Sequence, residues 1–245
     1  MKTPGGDENR GDQREARARA GLEAWAGFPA DLQPRPLVLL GSTVRPGGFP
    51  DGQTKLAFHD GFIEAVPDFP ASVLQILRRR PRARAGSPLL LTGATIDETE
   101  FVTDRGWQRL PAWRVRARDV PEPIWVLDPG TGDRCWQPPG QDNDGWGRQE
   151  AALETDGRTL TMSFVGSPQH YTSYPGARVL ESGNAVALIP IRVELVTGPR
   201  TAVGVTRQVT VTLERSLGNR VLLDEAGGPV MVTSAQPSST YGSPG

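Results

Sequence analysis

The sequence predicts a mainly β protein, with antiparallel sheets packed as a sandwich or a partly open barrel, one short helix near residues 70–80, and disordered termini. Three observations carry this reading. In Arg207-Gln208-Val209-Thr210-Val211-Thr212-Leu213-Glu214, apolar Val209, Val211 and Leu213 alternate with Thr210, Thr212 and Glu214, the period of a half-buried strand. The same period returns in residues 159–165 and 113–118. Turn-forming pairs such as Asp60-Gly61, Gly218-Asn219 and Gly227-Gly228 punctuate the apolar runs.

Residues 1–21 are Gly, Asp, Glu, Arg and Gln with little that is apolar, so ordering them would not repay its conformational entropy, and a disordered tail is expected. Residues 15–19 have transient helical character. Leu22, Trp25 and Phe28, spaced by three, form a short apolar edge suited to one docked helical turn. Residues 22–128 then read as an N-terminal β-rich half. Its first strand is the continuous apolar run 36–40, buried on both faces. Residues 45–52 hold two prolines and three glycines and make a loop. Short strands at 55–58 and 62–66 flank Asp60-Gly61. Pro70 opens a helix whose apolar positions are Val73, Leu74 and Leu77. The arginine-rich run 78–84 behind it reads as a solvated helix end, since cations there are favoured by the helix dipole. Strands follow at 87–96, 100–103, 107–118 and 123–127, and Trp113 and Val115 point inward while arginines alternate with them.

Residues 129–156 are rich in Gly and Pro and form an irregular connection between the halves. In the C-terminal antiparallel β half, 157–233, strands are expected at 159–165, 179–181, 184–196 and 202–205. Ile189, Ile191, Val193 and Leu195 share a face of the long strand, and Pro190 marks an edge or bulge. Residues 207–214, 221–223 and 229–232 then make a three-stranded antiparallel meander. Residues 234–245 are a second disordered tail. No repeat signals a solenoid or propeller.

The net charge of -1, from 27 basic and 28 acidic residues, argues against nucleic acid or an anionic membrane as partner. Lys2 and Lys55 are the only lysines. No apolar run is long enough to cross a bilayer, and no hydrophobic segment follows Lys2, so cytoplasmic residence is expected, with envelope association the alternative if a leader has been removed. A lone cysteine, Cys135, excludes an intrachain disulfide and a cysteine-based zinc site.

Catalytic candidates are few. Imidazole is limited to His59 and His170. His170 sits in the hydroxyl-rich segment 167–174 and is the better base, with Ser167, Ser173 or Cys135 as nucleophile; no Gly-x-Ser-x-Gly elbow accompanies it. Arg134 beside Cys135 favours a thiolate, against the plain reading of a partly buried thiol. Asp142 and Asp144, with Asp133 and Glu150 near, give the carboxylate density of a calcium loop but miss the EF-hand pattern, so no metal site is assigned. Asp97, Glu98 and Glu100 read either as an acid/base pair or as a hairpin tip. Among Trp107, Trp113, Trp125, Trp136 and Trp146, the segment is dense in indoles; Trp113 and Trp125 read as core, and Trp136 and Trp146 as surface anchors for a ligand.

Residues 103–114, from Thr103-Asp104-Arg105-Gly106-Trp107 to Trp113-Arg114, running on to Val126-Leu127-Asp128, resemble a pattern in uncharacterised actinobacterial proteins, many of them envelope-associated or lipoprotein-like. Val209-Thr210-Val211-Thr212-Leu213, Leu217-Gly218-Asn219-Arg220, Asp224 and Gly228-Pro229-Val230 resemble the end of the same proteins. The resemblance implies no activity and transfers no site residue. The expected function is therefore a non-catalytic binding or structural β protein with a protein or small ligand and no cofactor; the alternative is a hydrolase using His170.

Overall fold

Where apolar and polar residues alternate the chain is extended, and the computed structural model, which describes residues 5–79, 86–140, 149–196 and 203–234, is mainly β. In chain order the elements are α1 (Gly5–Ala24), β1 (Val44–Arg45), α2 (Gly52–His59), β2 (Ile63–Ala65), α3 (Ala71–Leu77), β3 (Leu89–Thr103), β4 (Gly106–Ala117), β5 (Ile124–Leu127) and a 3-10 turn (Pro129–Arg134). They continue with β6 (Glu150–Leu153), β7 (Thr159–Gly166), β8 (Thr172–Ser173), β9 (Ala177–Glu181), β10 (Ala185–Pro190), β11 (Val193–Glu194), β12 (Val205–Thr212), β13 (Val221–Leu223) and β14 (Met231–Ser234). The chain divides into a smaller unit, Gly41–Thr103 with Trp107–Trp136, and a larger one, Met1–Leu40 with Asp104–Gly106 and Gln137–Gly245.

The smaller unit is one sheet in the order β1-β5-β4-β3-β2. Arg45 of β1 donates from Nη1 to Thr99 Oγ1 at 3.1 Å and to the Glu100 carbonyl of β3 at 2.5 Å. Strands separated by two others in the sheet order thus meet through a side chain, which requires a strong curl toward an open barrel. Leu89, Leu91, Val115, Ile124 and Val126 pack with Ala57 of α2 and Val73 and Leu77 of α3.

The segment expected as strand 55–58 is helical instead. Asp51 caps α2 by accepting from the Thr54 amide at 2.7 Å, a local signal stronger than the short apolar run behind it. Asp60-Gly61 ends that helix rather than turning a hairpin. Gly61 has φ 63°, its amide donates to Phe58 O, and the Phe62 amide donates to Ala57 O, the two bonds that close a helix through a left-handed residue. After it, β2 pairs with β3 in parallel, because α3 carries the chain back across. The two strands expected at 87–96 and 100–103 are one, so Asp97, Glu98 and Glu100 lie within β3 and not at a hairpin tip.

In the larger unit the sheet β12-β7-β6-β14 and the sheet β13-β10-β9 contribute to a shared core. Leu160, Met162 and Phe164 of β7 and Val209 of β12 point inward, meeting Val186 and Leu188 of β10 and Leu222 of β13. Thr161 and Thr210 face outward across the β7–β12 pair and share a 3.0 Å hydrogen bond. The alternation read for 207–214 therefore holds, and each inward aliphatic contributes about 1.5 to 3 kcal/mol.

The meander does not form. β12 pairs with β7, β13 runs parallel to β10, and β14 runs parallel to β6. The Gly227 turn is local: Asp224 accepts from the amides of Ala226 and Gly228, both at 2.9 Å, and Leu223 bridges Pro229. Beyond that bridge the partners change, because Val221-Leu222-Leu223 is buried on both faces and a short run of that kind fits beside fully buried β10. The long strand expected at 184–196 stops at Pro190, and Ile191, Val193 and Leu195 are about half exposed. The expected 36–40 strand is a buried run with isolated bridges at Leu37 and Leu39, and β6 lies within the segment expected to be irregular.

Helix α1 begins at Gly5 and so covers residues for which composition predicts a disordered tail. Its buried positions are Ala18 and Gly21, followed by Trp25, so small residues let the backbone approach the neighbouring chain and little apolar side chain is needed. Arg14 donates to the Pro190 carbonyl at 3.2 Å, and the Trp25 indole donates to the Gly227 carbonyl at 3.2 Å.

Candidate functional site

The first turn of α2 and the start of β3 enclose a cleft of about 760 Å³ in the smaller unit. Pro50, Pro88, Leu89 and Ala57 supply its apolar surface, while Asp51, Gln53, Thr54, Ser87, Arg118 and Asp119 supply polar groups. Asp51 is held below the usual carboxylate range, first by the Thr54 amide and then by the Thr54 hydroxyl. This carboxylate already serves the helix N-terminus, so the cleft favours a ligand that brings donors and an apolar body over one that brings an anion. At the end of β4 the Arg118 amide donates to Leu90 O at 2.8 Å, and the next residue, Asp119, adopts φ 60°. Asp119 is the non-glycine residue with positive φ among the described residues, and it lies on the rim of this cleft.

In the larger unit the loop after β7 carries the residues that sequence reading favours. His170 is exposed, its ring 4.0 Å from that of Tyr171, and it makes no hydrogen bond among the described residues. Ser167 enters through its backbone: its amide donates to Tyr174 Oη at 3.0 Å and its carbonyl accepts from Arg207 Nε at 2.9 Å. The geometry thus brings Ser167, Tyr174 and Arg207 together and does not bring a hydroxyl or carboxylate to His170. Cys135 belongs to the smaller unit, where burial pushes its thiol up and Arg134 draws it back only in part. Desolvation outweighs the adjacent charge, so the activated thiolate weighed against the plain reading of a partly buried thiol is disfavoured.

Trp136 is half-buried and has partners. Trp146, Asp142 and Asp144 lie outside the described residues. The exposed indole among the described residues is Trp107, at 57 %. Among those residues no cluster of three or more His, Cys, Asp or Glu is placed to hold a metal ion. His59 closes α2 and lines a separate groove of about 500 Å³ with Lys55 and Phe49. Asp119, Arg118 and Arg207 were not singled out by sequence; the one available signal was that Arg118-Asp119 follows an alternating strand.

Asp104 and Arg105 belong to the larger unit and meet residues 35–38 and 218–220 there. Asp104, buried, pairs with Arg35 through both carboxylate oxygens and accepts from the Val38 amide at 3.0 Å. Arg105 donates to the carbonyls of Gly218 and Arg220, both at 2.8 Å, and Arg35 donates to Asn219 O at 2.6 Å. Burial lowers the Arg105 pKa, and Asp104 opposes that shift. These groups consume one another's hydrogen-bonding capacity, which makes the cluster structural.

Fold and clefts together define a mainly β, two-unit protein, and no helix among its described residues is long and apolar enough to cross a membrane. No protein-family model, curated protein or solved structure matches the chain.

Proposed function

We propose that the protein is a non-catalytic binding protein whose ligand site is the cleft between α2 and the start of β3. The observation that carries this reading is the left-handed backbone of Asp119 on the cleft rim. Non-glycine residues held in that region cost free energy and concentrate at ligand sites, and this one lies beside the largest of the clefts described above. The ligand is an amphipathic molecule: its apolar part lies on Leu89, Pro88 and Ala57, and its donors meet Asp51 and Asp119. No observation favours the hydrolase reading over this one, since His170 lacks a hydrogen-bonded partner among the described residues.

The test is a titration of 15N-labelled protein with short peptides and, separately, with oligosaccharides. Saturable shifts at the amides of residues 50–57, 87–90 and 118–119 are the expected result. Shifts confined to other residues, or none with either class, overturn the assignment.

A further inference from the structure

A second cleft, of about 320 Å³, lies in the larger unit beside the 167–174 loop. Its chemistry differs from that of the first. Arg207 reaches it with its Nε already committed to the Ser167 carbonyl at 2.9 Å, while its two terminal nitrogens make no hydrogen bond or ion pair among the described residues. Its stem passes close to Gly166, where a Cβ would lie 3.0 Å from Arg207 Cγ. Tyr174 accepts the Ser167 amide at its hydroxyl oxygen and keeps its own proton to donate. Ser173 also lines the cleft, and among the described residues its hydroxyl has no partner.

Among the described residues no Asp or Glu belongs to this lining. The carboxylate that touches it is Glu194, which accepts from the Thr172 hydroxyl at 3.4 Å. Arg207, Tyr174 and Ser173 thus bring donors to the lining of one small space, and the guanidinium is held in place at its Nε; Thr206, next to Arg207 in β12, turns its side chain to the opposite face. An acceptor-rich anion satisfies that arrangement, and charge-assisted bonds to it are stronger than neutral ones. Because Nε is occupied, only the end-on pair of Arg207 nitrogens remains. A tetrahedral anion uses that pair and still turns further oxygens to the hydroxyls.

We infer that the cleft formed by Arg207, Ser173 and Tyr174 is an oxyanion site that takes the phosphate or sulfate group of a small molecule. It is independent of the ligand cleft in the smaller unit.

The experiment titrates 15N-labelled full-length protein with sodium phosphate and with sodium sulfate, against sodium chloride at matched ionic strength. Saturable shifts at the amides of 167–174 and 206–208 and at the Arg207 Nε–H are expected with phosphate or sulfate and not with chloride. Saturation by phosphate alone assigns a phosphate group, and by sulfate alone a sulfate group. Arg207→Gln weakens binding about tenfold or more. Ser173→Ala leaves the Arg207–Ser167 bond in place and weakens anion binding about threefold. Shifts that match chloride, or binding undiminished in both variants, overturn the inference.

Discussion

Arg220 donates to Glu181 at 2.6 Å with side chains only 7 % and 10 % exposed, and the rest of its guanidinium is spent on backbone carbonyls. Nε donates to Leu217 O at 3.3 Å, and Nη2 donates to Arg215 O and Ser216 O, both at 2.9 Å. Glu181 in turn accepts from the Glu214 amide at 2.6 Å. One arginine therefore ties the end of β9 to the chain that leaves β12. Replacing it with alanine strands a largely buried carboxylate and several carbonyls. Arg220→Ala is expected to lose about 3 kcal/mol in urea denaturation, and Arg220→Lys, which cannot serve so many carbonyls at once, most of that.

The same pair sets a pH dependence. Burial pushes the Glu181 carboxyl up, but the Arg220 guanidinium and the Glu214 amide outweigh it, and the net shift is downward. A folded-state pKa below the unfolded value of about 4.3 means that the unfolded chain binds the proton first. The stabilisation is therefore complete above that value and is lost as pH falls through the folded-state pKa. Glu181→Gln is expected to flatten the stability profile in that acid range, measured as the urea midpoint against pH. An unchanged slope would remove Glu181 as its source.

Asp224 acts with the opposite sign. Burial raises its pKa, against the opposing amides of Gly228 and Ala226, so the folded state binds the proton first. Its charge costs stability above the folded-state pKa, and the cost falls as pH drops through that value toward the unfolded one. Asp224→Asn keeps an acceptor for the Ala226 and Gly228 amides and removes the charge. Its stability relative to wild type is expected to be highest at neutral pH and to decline in acid, by the same denaturation series.

Gly21 and Gly227 approach so closely that a Cβ built on Gly21 would lie 2.6 Å from Gly227 Cα, and one on Gly227 would lie 2.9 Å from Gly21 Cα. Backbone atoms have nowhere to yield. Gly227 also has φ 84°, so Gly227→Ala adds conformational strain to overpacking. A loss of about 2 to 3 kcal/mol is expected for it, and a smaller one for Gly21→Ala. Because the Trp25 indole donates to Gly227 O, hydrogen exchange at α1 and red-shifted tryptophan emission should accompany the loss.

Cys135 should be a slow nucleophile, since burial raises its pKa. At pH 7.5 its rate of alkylation by iodoacetamide is expected to fall below that of free cysteine, and to recover in denaturant. A rate above free cysteine would restore the activated thiol.

Periodicity made the strands legible. Val209, Val211 and Leu213 face inward, as do Leu160, Met162 and Phe164, because side chains on successive strand residues must leave opposite faces whatever the partner. Helix α3 was equally plain from Pro70, Val73 and Leu77. What misled at α2 was reading Lys55 to Phe58 without Asp51, whose cap decides the local conformation. The larger cleft was not legible at all: Asp51, Ser87 and Asp119 are far apart in the chain, and none carries a motif.

Alternation and turn residues by themselves thus determined a mainly β molecule and which side of most strands is buried. Pairing was left to the tertiary structure, because an apolar face records only that it is covered, not by which strand. So Val221-Leu222-Leu223 chose β10 in parallel over its neighbour in sequence. The tertiary structure also decided the helix before residue 22, where backbone packing at Gly21 does what apolar side chains do elsewhere, and the meeting of Arg207 with Ser167, since a cleft exists only once separate segments are brought together.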